Sequence, residues 1–269
     1  MEMKQQQFTG NNKLLLGIVL GVITFWLFAQ SLLNLVPTIQ HSFSSSIGTT
    51  SIAISITALF SGMFVVGAGS FADKLGRVKM TYIGLILSII GSLLIIVTPF
   101  TPMLILGRII QGLSAAAIMP STLAIIKTYY QGSDRQRALS FWSIGSWGGS
   151  GFASLFGGMI DTAIGWRWIY IISIIVAILA ILLIKGTPET KANQTTNTKF
   201  DFVGLTLFVI MMLSINVVIT QSAKLGLFSP TILALIAVFI ISTIIFVRVE
   251  MKMHYPLIDF KLFLSLIHI

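Results

Sequence analysis

Residues 69–80 read GSFADKLGRVKM. The run that leads into them, 51–71, holds no charged residue, and the run that follows, 81–97, holds none either. Because about 20 apolar residues cross a bilayer as a helix, the stretch reads as the bend of a membrane hairpin with its charges gathered into the bend. The residue types suit that place. Gly69 lets two helices approach closely, Asp73 can cap the following helix, Gly76 permits a tight turn, and Lys74, Arg77 and Lys79 stay in water.

Outward from this bend the pattern repeats. Spanning runs are expected at 13–36, 50–71, 80–97, 102–126, 138–160, 168–184, 202–220 and 230–247. The 269 residues are 55% hydrophobic and only 9% charged, far below the roughly 25% charged of an ordinary soluble domain. The fold class expected is an all-α integral membrane protein. The first run is too long for a signal-peptide core and is kept as a mature helix. Cysteine is absent, which excludes disulfides and thiolate metal sites.

A net charge of +9 would suit a nucleic-acid binder, but the placement of the charges does not. With the N-terminus in the cytoplasm, fourteen of the seventeen basic residues fall in inside segments. Only Arg167 and Lys224 fall outside, and Arg108 lies within a helix. That asymmetry predicts both ends of this chain on the cytoplasmic side of a cell membrane.

The longest inside connection, 186–199, reads GTPETKANQTTNTK and closes a six-helix unit. The organisation predicted is a six-helix bundle over 1–186, a linker over 187–200 and two extra membrane helices over 201–263. Gly69, Asp73, Gly76 and Arg77 end the second helix, and Gly157, Asp161, Gly165 and Arg167 end the fifth, on the opposite side. An inverted 3+3 repeat of this kind is a hallmark of secondary transporters. Residues 264–269, LSLIHI, look like the translation of a transposon end used in sequencing libraries, so the chain is expected to be an N-terminal fragment with a non-native tail.

Three constellations carry candidate chemistry. Arg108 and Gln111, in LILGRIIQGLSAA (104–116), lie one turn apart on the fourth helix, which puts a charge inside the membrane. The arginine either takes part in transport or cross-links helices through backbone carbonyls. On the fifth helix Gly145, Gly149, Ala153 and Gly157, with Gly158 adjoining, form a small-residue stripe suited to close packing. On the first, Gln30 and Asn34 are four apart, expected on one face, and either line an aqueous cavity or bond to neighbouring helices. Of the eight acidic residues only Asp161 lies near an outer helix end, as a proton or cation site or as a cap mirroring Asp73.

The order G-x-x-x-D-x-x-G-R-x-K in the opening stretch resembles the signature loop between helices 2 and 3 of the major facilitator superfamily. R-x-x-Q-G at 108–112 resembles its helix 4 motif, where the arginine is linked to proton coupling. GSGFASLFGG (149–158) resembles the antiporter motif G-x-x-x-G-P-x-x-G-G, with Ala153 and Ser154 in place of the central Gly-Pro. GWRWIY (165–170), FDFVG (200–204) and YPLIDFKLF (255–263) resemble segments at the same places in the fourteen-helix drug:proton antiporter branch, which includes staphylococcal multidrug exporters.

That resemblance implies a proton-coupled multidrug antiporter whose second six-helix bundle is missing from this chain. Its implied partners are small amphipathic drugs, cationic or zwitterionic, and the lipid bilayer. It needs no cofactor beyond the proton gradient, and no G-x-x-x-x-G-K-[ST] sequence marks an ATP-driven pump. No nucleophile and base pairing suggests an enzyme, and no cluster suggests a metal. A non-transporting membrane scaffold or sensor, and an exporter of one endogenous metabolite, remain as alternatives.

Overall fold

A computed structural model describes residues 8–191, 201–253 and 258. Among them every regular element is a helix. Seven stretches are long and apolar enough to cross a membrane: Asn12–Asn34, Gly48–Leu75, Arg77–Val97, Thr101–Tyr129, Arg167–Ile184, Phe202–Ser222 and Pro230–Lys252. The eighth expected span, 138–160, is helical but is not among the seven, because its glycines and serines dilute its hydropathy. The tail 264–269 and most of the linker, 192–200, lie outside the described residues.

The first span is not one regular helix. It comprises α1 (Asn12–Ile23), a π-helical stretch Thr24–Ala29, a 3-10 stretch Gln30–Asn34 and α2 (Val36–Phe43). Asn11 starts it by accepting the Leu14 N–H at 2.8 Å, and Pro37, which lacks an N–H, accounts for the break before α2. Beside its start the Tyr130 hydroxyl donates to the Asn11 carbonyl at 2.7 Å, and burial pushes this phenol up to about 12, so it remains a donor.

The other helices are α3 (Ile47–Leu75), α4 (Arg77–Val97), α5 (Thr101–Tyr129), α6 (Gly132–Ser143), α7 (Gly149–Ile164), α8 (Arg167–Ile184), α9 (Phe202–Leu225) and α10 (Pro230–Lys252). A π-helical stretch, Ile144–Gly148, joins α6 to α7. Ser46, Asp201 and Ser229 cap α3, α9 and α10 with side-chain oxygens.

α5 is the central element, packed on both α3 and α4, while α8 packs on α4 and α1. Glycine makes these contacts close. A Cβ on Gly91 of α4 would stand 2.9 Å from the Gly107 carbonyl oxygen of α5, and one on Gly107 would stand 3.0 Å from that of Gly91. The two larger of the apolar clusters in the core lie one around Ile18, Leu85, Ile118 and Ile184, the other around Leu32, Ile95, Leu104 and Ile169. Along α5 the polar pair Arg108 and Gln111 falls between them. α9 packs on α10 and, through a smaller contact, on α3, so the pair stands beside the bundle.

Candidate functional site

Arg108 is fully buried. Its Nη1 donates to the Ala29 carbonyl at 2.7 Å, to Gln111 Oε1 at 3.0 Å and, more weakly, to the Tyr170 hydroxyl at 3.5 Å, and its Nη2 donates to the Ile54 carbonyl at 2.8 Å. The planar guanidinium thereby reaches the first span, α3 and α8 from α5. Gln111 passes the chain on by donating to Ser92 of α4 at 3.3 Å, and Thr57 of α3 donates to the Arg108 carbonyl at 2.9 Å. All these acceptors are neutral, and Arg108 Nε, also buried, has no partner among the described residues. A cation held only by dipoles is costly to bury.

The fifth helix lays its small residues on the first. A Cβ on Gly145 would stand 3.3 Å from Val19, one on Gly149 3.2 Å from Trp26, and one on Gly157 2.9 Å from the Ser31 carbonyl oxygen, while Ala153 is buried between them. Gly158 meets nothing within 4 Å and is not part of this contact. Each helix is π-helical along part of its length, at Thr24–Ala29 and Ile144–Gly148, and the two stretches touch. Such wide turns are frequent at functional sites. Where the antiporter motif has a proline, this helix has Ser154 and departs from regular α geometry two to three turns earlier, at Ile144–Gly148.

Gln30 and Asn34 do not share a face as expected. The stretch they bound is 3-10 helical, in which residues three apart eclipse, so residues four apart are turned by about a third of a turn. Gln30 is half-buried, and Asn34 is exposed and donates to the Ser154 hydroxyl of α7.

Asp161, half-buried near the end of α7, accepts the Thr38 hydroxyl of α2 at 2.9 Å through Oδ2. It joins two helices and does not cap one. The turn after it matches the turn after Asp73: α7 stops at Ile164, Gly165 takes φ +96° and α8 starts at Arg167, just as α3 stops at Leu75, Gly76 takes φ +121° and α4 starts at Arg77. The side chains diverge. Arg167 donates to the carbonyls of Ile96 at 3.2 Å and Thr98 at 3.3 Å and lies 4.5 Å over the Trp166 ring, leaving Asp161 to Thr38.

In the signature loop the helices run further than the apolar runs suggest, and Gly76 alone separates α3 from α4. Asp73 does not cap α4. It pairs with Arg77, Oδ1 standing 3.0 Å from Nε and 2.9 Å from Nη2. Arg77 also donates to Thr128 of α5 at 2.8 Å. The cap comes from the linker. The Glu189 carboxylate accepts the backbone N–H groups of Val78, Lys79 and Thr190, each at 2.9 Å, and the Thr190 carbonyl accepts that of Arg77 at 2.9 Å. The Tyr129 hydroxyl holds the same segment by donating to the Pro188 carbonyl at 2.7 Å. Gly69 makes only ordinary contact, 3.5 Å from its would-be Cβ to Pro120.

Residues 16–269 match the family profile of the Major Facilitator Superfamily. The chain belongs to that superfamily. It is 61% identical over 259 residues to the "Quinolone resistance protein NorB" of Staphylococcus aureus strains MRSA252 and Newman, an alignment covering 96% of this chain and 56% of each relative. The chain therefore spans about half the length of the curated relatives it matches. Among solved structures it resembles a mutant peptide transporter POT bound to sulfate, with TM-score 0.66 and 15% identity over 94% of this chain and 57% of that one. It also resembles the POT family transporter PepTSo, with TM-score 0.60 and 13% identity over 86% of this chain and 51% of that one. At such identities these likenesses establish the fold.

Within this major facilitator bundle the structure joins Arg108 to Gln111 and the stripe to the first span, but it leaves Asp161 on a partner of its own. Sequence reading missed Glu189, Thr38 and Tyr170. Glu189 left a readable trace: Gly76 has no side chain to cap α4, so its first N–H groups require an acceptor from elsewhere, and an acid follows closely on the sixth helix. Thr38 and Tyr170 left none, since hydroxyls and phenols at helix ends usually serve the membrane interface.

Proposed function

We propose that this chain is the N-terminal part of a proton-coupled multidrug antiporter of the fourteen-helix branch, exporting amphipathic drugs, quinolones among them, across a bacterial cell membrane. The observation that carries the reading is the 61% identity to a quinolone resistance protein along nearly the whole chain. The first bundle and the two extra helices are supplied here, and a second bundle would complete the cavity. Both ends of this chain lie in the cytoplasm, as the basic residues require.

The residues have separate roles in this reading. Arg108 and Gln111 form a stiff polar centre that links the first span to α3, α4 and α8. The contact between the first and fifth helices, without the motif's proline but with two π-helical stretches, is where the bundle flexes as it alternates access. Gln30 is offered to the cavity beside that contact, while Asn34 ties the first span to α7 through Ser154. Asp161 carries the coupling proton, taking it up on the outer side and giving it up as access turns inward, while Asp73, Arg77 and Glu189 clasp the cytoplasmic ends of the helices. No nucleotide or metal takes part.

The test is drug susceptibility of cells expressing a full-length transporter that carries this sequence, with and without a proton uncoupler. Resistance to quinolones and dyes that the uncoupler abolishes is expected. A protein that inserts fully yet changes susceptibility to no amphipathic compound would favour a scaffold or a metabolite exporter.

A further inference from the structure

Where the contact between the first and fifth helices begins, the two leave an opening that the transport reading does not use. Asn12, Leu15, Leu16 and Val19 of α1 and Arg137 and Phe141 of α6 line a cavity of about 160 Å³. The helices run parallel, since Gly145, Gly149 and Gly157 meet Val19, Trp26 and Ser31 in that order. Asn12, the first residue of α1, and Arg137 therefore sit at the same end of the cavity, and its remaining walls are apolar. Arg137 lies one helical turn before Phe141, with its guanidinium carbon 5.7 Å from the centre of that ring. Its neighbour Arg135 is drawn away onto the carbonyls of Tyr130 at 2.8 Å and Lys127 at 2.9 Å. Among the described residues no carboxylate forms an ion pair with Arg137, Asp134 three residues earlier included.

We infer that this cavity is an entry site for a flat amphiphile that carries a carboxylate, with Arg137 gripping the acid and Phe141, Leu15 and Leu16 taking the adjoining ring. The charges decide the polarity of the ligand: a guanidinium presents paired donors that match the two oxygens of a carboxylate, and the amide of Asn12 adds a donor at the same end. An apolar floor beside a cationic rim suits a molecule whose acid is attached directly to a ring. At about 160 Å³ the cavity is well below the roughly 300 Å³ at which sites begin to enclose a drug-sized molecule. It therefore holds the acid end while the rest projects into the space that a second bundle would close. The inference deepens the transport reading and rests on it for the direction of movement, because the basic residues put this end of both helices in the cytoplasm, where an exporter collects its cargo. The coupling role of Asp161 does not enter it.

The experiment is calorimetric titration of purified full-length protein, in phosphatidylcholine nanodiscs that supply no anionic headgroup, with norfloxacin and with its methyl ester. The two ligands share the planar ring system, and the ester lacks the carboxylate charge. The wild type should bind the acid more tightly than the ester. Arg137→Gln should weaken the acid roughly three- to fivefold more than the ester, the range of an exposed ion pair, and Arg137→Lys should recover part of that loss. Phe141→Ala should weaken both ligands alike, and it reads the site if Arg137→Gln does not fold. Acid and ester that bind the wild type equally, or that lose equally in Arg137→Gln, would overturn the proposal, as would a Phe141→Ala variant that binds both like the wild type. Susceptibility of cells expressing the same proteins separates the two readings: binding that depends on Arg137 without uncoupler-sensitive resistance upholds the site and fails the transport reading.

Discussion

The Glu189 carboxylate fills the space that a side chain on Gly76 would take: a Cβ there would lie 2.4 Å from Glu189 Cδ. The signature loop and the linker after the sixth helix are therefore one structural unit. Its glycine serves two ends, since φ +121° disfavours any other residue and the missing side chain admits an acid to the start of α4. That acid meets unsatisfied N–H groups at the positive end of a helix.

Glu189→Ala should lower stability by about 0.5–2 kcal/mol, the range of a lost N-cap, and toward the low end because the group is exposed. Gly76→Ala should cost about 1–3 kcal/mol from backbone strain alone, plus the collision with Glu189. In the double variant the collision disappears and the strain remains, so the two costs should fall short of additive in a double-mutant cycle of melting curves. Strict additivity would mean that the two residues do not meet.

Asp73→Asn removes an i,i+4 ion pair at a partly exposed site, worth about 0.3–0.5 kcal/mol, so stability should scarcely move. Transport by the full-length protein should fall, since the pair fixes how Arg77 reaches Thr128 and hence how α4 meets α5. Insertion and turnover are to be measured on the same preparation. Wild-type turnover would reduce the pair to surface decoration.

Much of this was legible in advance. Charge-free runs gave seven of the eight spans, and the 69–80 stretch gave the turn at Gly76, because hydropathy and glycine are local properties. The fifth helix was legible as a stripe but not as a departure from α geometry, since π-helical turns arise from how two helices meet. Gln30 and Asn34 were misplaced for the same reason: helical spacing assumes a regular helix, and Pro37 breaks it. The cap of α4 was expected from Asp73 and comes from Glu189, because a partner more than a hundred residues away lies beyond helical spacing.

The stripe supplies its own control. Gly157→Ala would bring a methyl group to 2.9 Å from the Ser31 carbonyl oxygen and should cost about 1–3 kcal/mol as overpacking. Gly158→Ala, which meets nothing within 4 Å, should be neutral or stabilise the helix by up to about 1 kcal/mol. Thermal melts of the two variants decide it, and equal effects would remove the first helix from the contact.

Arg108→Lys retains the charge but offers one nitrogen where Arg108 reaches the carbonyls of Ala29 and Ile54 from two. Loss of one charge-assisted bond should lower stability by about 1.5–3 kcal/mol, with transport reduced as the first span and α3 part. A lysine variant that melts and transports like the wild type would show that a positive charge, and not the fork, is what this position requires.

The central claim is that drug efflux is driven by protons and that Asp161 carries them. The most direct measurement is drug-induced proton flux in liposomes containing the full-length protein, comparing wild type with Asp161→Asn. Asparagine can still accept the Thr38 hydroxyl, so the helix contact and the melting temperature should be nearly unchanged while the drug-linked proton flux disappears. Undiminished proton flux in the variant would contradict the account and place the coupling acid outside this chain.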